Sequence, residues 1–407
     1  MKYIFDIKFK FLIVTLFIVS VIVSSCNKDV EQLGDITQPQ RSGQTLDQLL
    51  KNNPEDSLYF RLIVKSGQLA MISDSNKMFS MFVPNNDAMR NAISSLAGIP
   101  NNQLIPNLVF SQFITSFISV EQAAALVQYN TIPQAIRTSS IPGTFPNFFY
   151  PSTLNPTPYD TIPYIPLARL DIYPSTRNGG WLNNLPLTSV NTLAYNGVIH
   201  HCAGLAIPPQ RFLWNRINTD TGLTYLKAAI IRADSGTSPA FLQGALSNIG
   251  ANLTLFAPTN AAFKKALVKM IAQVLIRNGA DTTTAINTAS ALSSSPDVFS
   301  NPLLFSALPA EQVKGLLAYH LLGSRAFTNN FSTSPESANT LLGFPVILKA
   351  TFGNPFVTSA TVKGSGNAVP ANIIINTTPL TADPDGTSDQ LYLNGIMHEI
   401  DDILMPY

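Results

Sequence analysis

A strand, a proline and a helix follow one another twice along this chain, and this repeated order restricts the possible folds more than any other feature. Residues 253–263 read LTLFAPTNAAF. The β-branched and aromatic content of LTLF predicts a short buried strand, which Pro258 ends because proline cannot donate a hydrogen bond to a sheet. Thr259 or Asn260 can then cap an amphipathic helix. Residues 78–89, MFSMFVPNNDAM, repeat the same order of elements.

A second pair of similar segments follows the first at comparable distances. Residues 195–209 read YNGVIHHCAGLAIPP, and residues 392–406 read YLNGIMHEIDDILMP. The two strand-ending prolines are 258 − 84 = 174 residues apart, and the asparagines of the two Asn-Gly pairs are 394 − 196 = 198 residues apart. These similar offsets predict two copies of one domain that carry insertions of unequal length.

The repeated segments resemble the two signature segments of fasciclin (FAS1) domains. The resemblance covers about residues 44–407, and the second copy also contains the family's Tyr-His pair, at Tyr319-His320. The first copy contains no such histidine, and we place Gln112-Phe113 in the corresponding region. The resemblance implies an α+β fold with two tandem FAS1-like modules, each a small β-sandwich or wedge with packed helices.

We therefore expect two modules after a short N-terminal region. The first spans 44–209 and contains an insertion at 138–191 that is rich in proline and aromatic residues. So many prolines exclude long helices and central strands, which predicts an ordered but largely irregular excursion with short edge strands. The second module spans 210–407, with an insertion at 271–309 that is predicted to be helical. The joint between the modules is short, which predicts limited swivel.

The N-terminal residues are typical of a bacterial lipoprotein. Lysines precede a short apolar run at 11–23, which ends at Ser24-Ser25-Cys26. This pattern predicts a signal peptide at 1–25, acylation of Cys26 and a flexible tether at 26–43, with membrane lipid as a partner. The expected location is the cell envelope, as an outer-membrane lipoprotein exposed at the surface. The alternatives are an uncleaved membrane anchor and a disulfide between Cys26 and Cys202.

Composition and motifs argue against nucleic-acid binding and against catalysis. The net charge is +1 and charged residues make up 12% of the chain, whereas non-specific nucleic-acid binding needs a basic surface. His200 and His201 are adjacent in a predicted strand and point to opposite faces, so they do not easily share one metal ion. The region 383–389 resembles a calcium loop, but its ligand set is incomplete. We predict no metal, no cofactor and no enzymatic activity, unless His200, His201 or Asp401 lies in a solvent-reaching cleft.

Two sets of residues are candidates for partner binding. In the first insertion, Tyr159, Tyr164 and Trp181 are predicted to be exposed because each ring carries a polar group. The alternative is that they form a small core beneath their own loop. Tyr319-His320 resembles the family segment linked to adhesion, and the alternative there is a helix-end pair with a structural role.

These features predict a non-enzymatic, lipid-anchored cell-surface adhesion protein that presents two fasciclin-like modules to a glycan, a matrix or a surface protein. The alternative function is a glycan-binding accessory lipoprotein of a surface polysaccharide-uptake system. A purely structural spacer is a further possibility.

Overall fold

The structure, a computed structural model, describes residues 43–98, 105–155, 169–236, 240–305, 307–378, 380 and 385–407. The predicted signal peptide, Cys26 and nearly all of the predicted tether lie outside this described part. Residues 44–407 pack as one unit. None of the helices in the described ranges is both long and apolar enough to cross a membrane.

The first copy combines α-helices with a sheet whose longest strands lie at its beginning and end. Its helices are α1 (Leu46–Asn52), α2 (Ser57–Lys65), α3 (Leu69–Ser73), α4 (Asn86–Ala97), α5 (Asn107–Phe117) and α6 (Val120–Tyr129). Its strands are β1 (Phe79–Pro84), β2 (Thr131–Ile132), β3 (Tyr150–Pro151), β4 (Asp171–Ile172), β5 (Pro174–Ser175), β6 (Trp181–Leu182), β7 (Leu185–Ala194) and β8 (Gly197–Cys202).

The second copy repeats this order with longer helices and a larger sheet. Its helices are α7 (Leu213–Thr219), α8 (Thr224–Ala233), α9 (Phe241–Ser247), α10 (Asn260–Arg277), α11 (Thr282–Leu292) and α12 (Ala310–Tyr319). Its strands are β9 (Leu253–Pro258), β10 (Leu321–Leu322), β11 (Glu336–Asn339), β12 (Pro345–Phe352), β13 (Val357–Gly364), β14 (Ala371–Ile373), β15 (Gln390–Tyr392) and β16 (Gly395–Ile400). The fold is therefore α+β with two tandem modules.

Both sheets are built around the same pair of parallel strands. The first sheet has the order β2-β1-β8-β7-β6-β5, and the second has the order β10-β9-β16-β14-β13-β12-β11, with β15 paired to β16. Phe79 pairs with Gly197 in the first copy, and Leu253 pairs with Gly395 in the second. The offsets are 253 − 79 = 174 and 395 − 197 = 198, the same as those between the repeated sequence segments. The duplication therefore extends to the register of the central strands.

The proline that ends each central strand is followed at once by a capped helix. In the first copy the Asn85 side chain accepts a hydrogen bond from the Ala88 N–H at 2.9 Å. In the second copy the Thr259 hydroxyl accepts from the Ala262 N–H at 3.2 Å. Of the two caps that the sequence allowed in the second copy, Thr259 is the one used. These caps satisfy N–H groups that have no partner inside the helix.

The Asn-Gly pair before the last strand of each copy joins that strand to the first helix. Asn196 Oδ1 accepts from the Leu46 N–H at 2.8 Å, and Asn394 Oδ1 accepts from the Leu213 N–H at 3.0 Å. A Cβ on Gly395 would lie 2.6 Å from the Leu253 carbonyl oxygen, which no side chain can tolerate. In the Asn-Gly motif, the asparagine side chain therefore holds the first turn of the helix, and the glycine allows the two backbones to approach closely.

The Tyr-His pair of the second copy has an equivalent in the first copy, although not where we expected it. Phe256 N donates to His320 O at 2.9 Å, and Phe82 N donates to Asn130 O at 2.9 Å. Tyr129-Asn130 therefore corresponds to Tyr319-His320, and our placement of the region at Gln112-Phe113 is wrong. The sequence comparison failed because Asn130 replaces the histidine while keeping its position at the end of a ten-residue helix.

The proline-rich insertion of the first copy packs against the second copy. Asn147 N donates to Arg325 O at 3.1 Å, and Phe327 N donates to Asn147 Oδ1 at 2.9 Å. Asn178 Nδ2 donates to Phe331 O at 2.8 Å. These bonds join two segments of the insertion to residues 325–331, so the insertion forms much of the contact between the two modules.

Side-chain contacts extend this interface. Ser175 Oγ donates to Asn330 Oδ1 at 2.9 Å, and Arg177 forms an ion pair with Glu336 at 2.8 Å. Phe145 of the insertion packs edge-to-face against Phe331 of the second copy, with the ring centroids 6.2 Å apart. Because these contacts lie far from the chain connection, they restrict rotation about it.

Candidate partner-binding surface

Two of the four histidines occupy equivalent places in the cores of the two copies. The rings of His200 and Phe82 stack with centroids 5.3 Å apart, and those of His398 and Phe256 stack at 5.9 Å. His200 Nε2 lies 2.8 Å from the Ile136 carbonyl oxygen, and His398 Nε2 makes the equivalent contact with a backbone carbonyl at 2.9 Å. Burial lowers the pKa of both rings below the ordinary value. Both therefore serve as neutral core residues.

His201 lies in a serine–histidine–carboxylate arrangement at the side of the first sheet. Its Nδ1 is 2.8 Å from Ser189 Oγ, and its Nε2 is 3.1 Å from Asp56 Oδ1. The equivalent residue of the second copy is 201 + 198 = 399, and Glu399 there pairs with Arg216 at 3.2 Å. In both copies this position of the last strand therefore contacts the N-terminal helical turns, through Asp56 in the first copy and Arg216 in the second. This equivalence favours a structural role for His201 over a role in nucleophilic catalysis.

The remaining acidic candidates are held by protein donors. Asp385 is paired with Arg211 at 2.8 Å, and the hydrogen bond from that guanidinium is the main cause of its lowered carboxyl pKa. Asp389 accepts from the Thr328 hydroxyl at 2.6 Å. Asp401 accepts from Asn372 N at 2.7 Å. Within the described ranges, His, Cys, Asp and Glu form no group of three or more that could hold a metal ion.

Tyr319 and His320 lie in the core of the second copy and are not accessible to a partner. Both are fully buried. Tyr319 donates its hydroxyl to Pro345 O at 2.7 Å, and His320 Nδ1 lies 2.8 Å from Leu316 O. His320 Nε2 accepts from the Leu404 N–H at 2.9 Å, so this ring connects the end of α12 to the C-terminal segment. The contacts are those of a structural helix-end pair, which is the alternative given above for these two residues.

Trp181 is also buried, which contradicts the expectation that its ring is exposed. Its relative exposure is 2%, and its Nε1 donates to Asn178 O at 3.1 Å. Its ring centroid lies 6.4 Å from that of Phe352 of the second copy. The polar edge of the indole finds its partner within the insertion, so solvent is not needed to satisfy it. Tyr159 and Tyr164 lie outside the described residues.

Three consecutive residues of the insertion form the aromatic surface (Phe148, Phe149 and Tyr150). Phe148 is 46% exposed and Phe149 is 51% exposed. Their rings are nearly parallel, with centroids 5.7 Å apart and an interplanar angle of 15°. The Phe148 ring also meets the edge of Tyr150, with centroids 5.2 Å apart. The described insertion therefore presents stacked aromatic rings to solvent.

The aromatic surface is held firmly on both sides. Asn147, which precedes it, is fixed by two hydrogen bonds to the second copy. Tyr150 belongs to β3, which pairs with β4, and its hydroxyl donates to Ser140 O at 3.2 Å. A surface that is already ordered loses little conformational entropy when it binds a partner.

Comparison with known proteins identifies the family. Residues 238–406 match the family model of the fasciclin domain. This chain is a fasciclin-domain protein. The first copy of the fasciclin fold is identified by the shared register of its central strands, as described above.

The fasciclin-domain chain is also similar to a solved structure of a domain pair. That structure is a FAS1 domain pair from the insect cell adhesion molecule fasciclin I, at 12% sequence identity and with a TM-score of 0.33. The similarity covers 85% of this chain and 95% of the insect chain. Among curated proteins, none matches the sequence.

In this fasciclin-domain protein the predicted insertion does expose aromatic rings, but Trp181, one of the rings predicted from the sequence, is not among them. The polar atoms of Tyr159, Tyr164 and Trp181 predict exposure, yet the indole N–H of Trp181 finds its hydrogen-bond partner inside the protein. A better signal was present in the run Phe148-Phe149-Tyr150. Each aromatic ring needs a large apolar area to cover it, so three adjacent rings on an irregular segment are difficult to bury together.

Proposed function

We propose that this protein is a non-enzymatic adhesion protein of the cell envelope, which binds a glycan through the aromatic surface and is held to the membrane by acylated Cys26. The fasciclin domain supports an adhesive or binding role. The observation that carries the proposal is the exposed parallel pair of rings at Phe148 and Phe149.

A glycan is the partner that best suits these rings. The C–H faces of a pyranose ring are flat and apolar, and they stack on aromatic faces that are held still. The two phenylalanine rings carry no charge and no polar atom, so they offer apolar area without selecting for a charged ligand. Many copies on one membrane would raise the avidity of a shallow site, so the affinity of one molecule can be modest.

Attachment to the membrane is proposed from the sequence of the N-terminal region. Positive residues, a short apolar run and small residues before Cys26 are the features that support lipidation. An acyl anchor with a polar tether would place the aromatic surface outside the lipid headgroups. We propose the outer membrane as the location and the cell exterior as the side that carries the protein.

The binding proposal is tested with a double variant, Phe148→Ser with Phe149→Ser, on a glycan array and in a cell-adhesion assay. We expect binding to fall at least tenfold while the thermal midpoint of unfolding stays within a few degrees of the parent. Phe117→Ser is the matched control, because Phe117 is 74% exposed but belongs to α5 and lies outside the insertion. Unchanged binding by the double variant would contradict the proposal.

The same variants separate adhesion from the alternative role in polysaccharide uptake. Cells that carry the double variant should adhere poorly but grow normally on polysaccharides. Normal adhesion with impaired growth on one polysaccharide would instead favour an accessory protein of an uptake system.

Mass spectrometry of the membrane-extracted N-terminal peptide tests the anchor, and we expect a diacyl or triacyl modification on Cys26. Release of the Cys26→Ser variant into the soluble fraction is the second expected result.

A further inference from the structure

The junction between the two modules contains a cavity that the aromatic surface does not share. Its volume is about 340 Å³, and its walls come from both copies. Small-molecule sites often lie at domain interfaces, and this volume is within their usual range. The polar residues in its wall that matter here are Asn184, Arg211, Asn376, Asp389 and Gln390.

Amide side chains in the wall retain unused hydrogen-bonding capacity. Gln390 uses its Nε2 to donate to Ser388 O at 2.9 Å, which leaves its carboxamide oxygen available. In the described part of the chain, the Asn184 side chain makes no hydrogen bond. A Cβ on Gly386 would lie 2.5 Å from Gln390 Nε2 and 2.9 Å from Asn376 Nδ2, so both carboxamides approach one glycine. The wall thus offers amide donors and acceptors close together.

The charged groups in the same wall are compensated by the protein. Asp389 accepts from the Thr328 N–H at 2.7 Å and from its hydroxyl at 2.6 Å. Arg211 donates to Asp385 at 2.8 Å. A charged ligand would have to compete with these contacts, whereas a neutral ligand can use the amides directly. The electrostatics therefore favour an uncharged molecule.

The rest of the wall is apolar, with Leu185, Leu205 and Leu391 facing the same space. A ligand must therefore combine hydroxyl or amide groups on its edges with an apolar face. The cavity volume of about 340 Å³ is at the small end of the range for ligand sites, which suits a ligand of one ring. We propose that this cavity binds one neutral pyranose unit, either free or as the end of a chain.

This proposal does not depend on the aromatic surface, and the experiment keeps the two apart. Isothermal titration of the full chain with glucose, galactose, mannose and N-acetylglucosamine should show one or more of these sugars binding with 1:1 stoichiometry. Asn184→Leu and Gln390→Leu should each weaken that binding at least tenfold. The double variant Phe148→Ser with Phe149→Ser is the control, and its affinity for the same sugar should match that of the parent.

Several results would overturn the proposal. Failure of all four sugars to bind would do so, as would binding that both leucine variants retain. Tighter binding of glucuronate or inorganic phosphate than of any neutral sugar would show that the ligand is charged. Because a leucine variant could unfold, Asn184→Ser and Gln390→Ser are tested in parallel, and a thermal midpoint close to that of the parent confirms that each remains folded.

Discussion

The guanidinium of Arg325, in the second module, lies over the ring of Tyr173, in the insertion of the first, at 5.4 Å from the ring centroid. It also donates a hydrogen bond to the Tyr173 hydroxyl and another to Leu393 O at 2.6 Å. Both side chains are buried. One cation thus connects the insertion to Leu393, which lies between β15 and β16 of the second module. The two modules are packed together at this point.

Removing this cation should destabilise the whole chain. Arg325→Leu leaves the Tyr173 hydroxyl and the Leu393 carbonyl without their donor, and each buried group left in this way costs about 1–3 kcal/mol. We expect the free energy of unfolding to fall by about 2–4 kcal/mol, measured by urea denaturation. Arg61→Ala, on an exposed face of α2, should change it by less than about 0.5 kcal/mol. Equal effects of the two substitutions would contradict the role of Arg325 at the interface.

The glycine that begins each last strand should not accept a side chain. Gly395→Ala would force a methyl group to 2.6 Å from the Leu253 carbonyl oxygen, and Gly197→Ala would overlap the carbonyl of Phe79. We expect each to separate the central parallel strands and to cost about 3 kcal/mol or more, by analogy with overpacking in a core. Thermal unfolding monitored by circular dichroism measures the loss.

Gly244→Ala is the matched control for these substitutions. Gly244 lies inside α9, and a Cβ there would meet no atom within 4 Å. Alanine is a better helix former than glycine, so this variant should be more stable by about 0.5–1 kcal/mol. If Gly244→Ala also lost stability, the space around each glycine would not explain the destabilisation expected for Gly197→Ala and Gly395→Ala.

Stability should decrease in acid because of His320. Burial lowers its pKa from the ordinary value of 6.5 to about 4. Between these two pH values the unfolded chain binds a proton that the folded chain does not, so the free energy of unfolding falls as the pH falls. A difference of about 2.5 in pKa corresponds to about 3 kcal/mol. His200 and His398 act in the same direction, because burial lowers their pKa values as well.

The first copy supplies the substitution that isolates this effect. His320→Asn introduces the residue that occupies the equivalent position as Asn130, where the amide donates to Leu126 O and to Ala206 O at 2.8 Å each. The variant should fold and should lose less stability between pH 7 and pH 4 than the parent does, by about 3 kcal/mol. Parallel stability curves for parent and variant across this pH range would contradict the assignment.

The thiol of Cys202 should react only when the chain unfolds. Cys202 lies in β8 with no exposed surface, and burial raises its thiol pKa. Since the thiolate is the reactive form, modification must await exposure. In the Cys26→Ser variant, where Cys202 is the single remaining thiol, labelling with a disulfide reagent should follow the rate of global unfolding. Rapid labelling under native conditions would show that β8 opens locally.

Part of the site could be anticipated from the sequence and part could not. The aromatic insertion was recognisable because its composition is local, yet the exposure of each ring was not. Trp181 is buried and lies near Phe352 of the second module, whereas Phe148 of the same insertion is 46% exposed. Burial depends on partners far along the chain, such as Asn147 and Phe327, which are 180 residues apart.

By itself the sequence determined the duplication, the helix caps and the strand ends. These features follow from short-range rules: proline cannot donate to a sheet, a polar side chain caps the helix that follows, and glycine permits close backbone approach. The tertiary structure alone decided that Asn130 takes the place of His320, that Tyr319 and His320 are buried, and that the insertion packs on the other module. Each of these outcomes depends on contacts between distant segments, which no local pattern encodes.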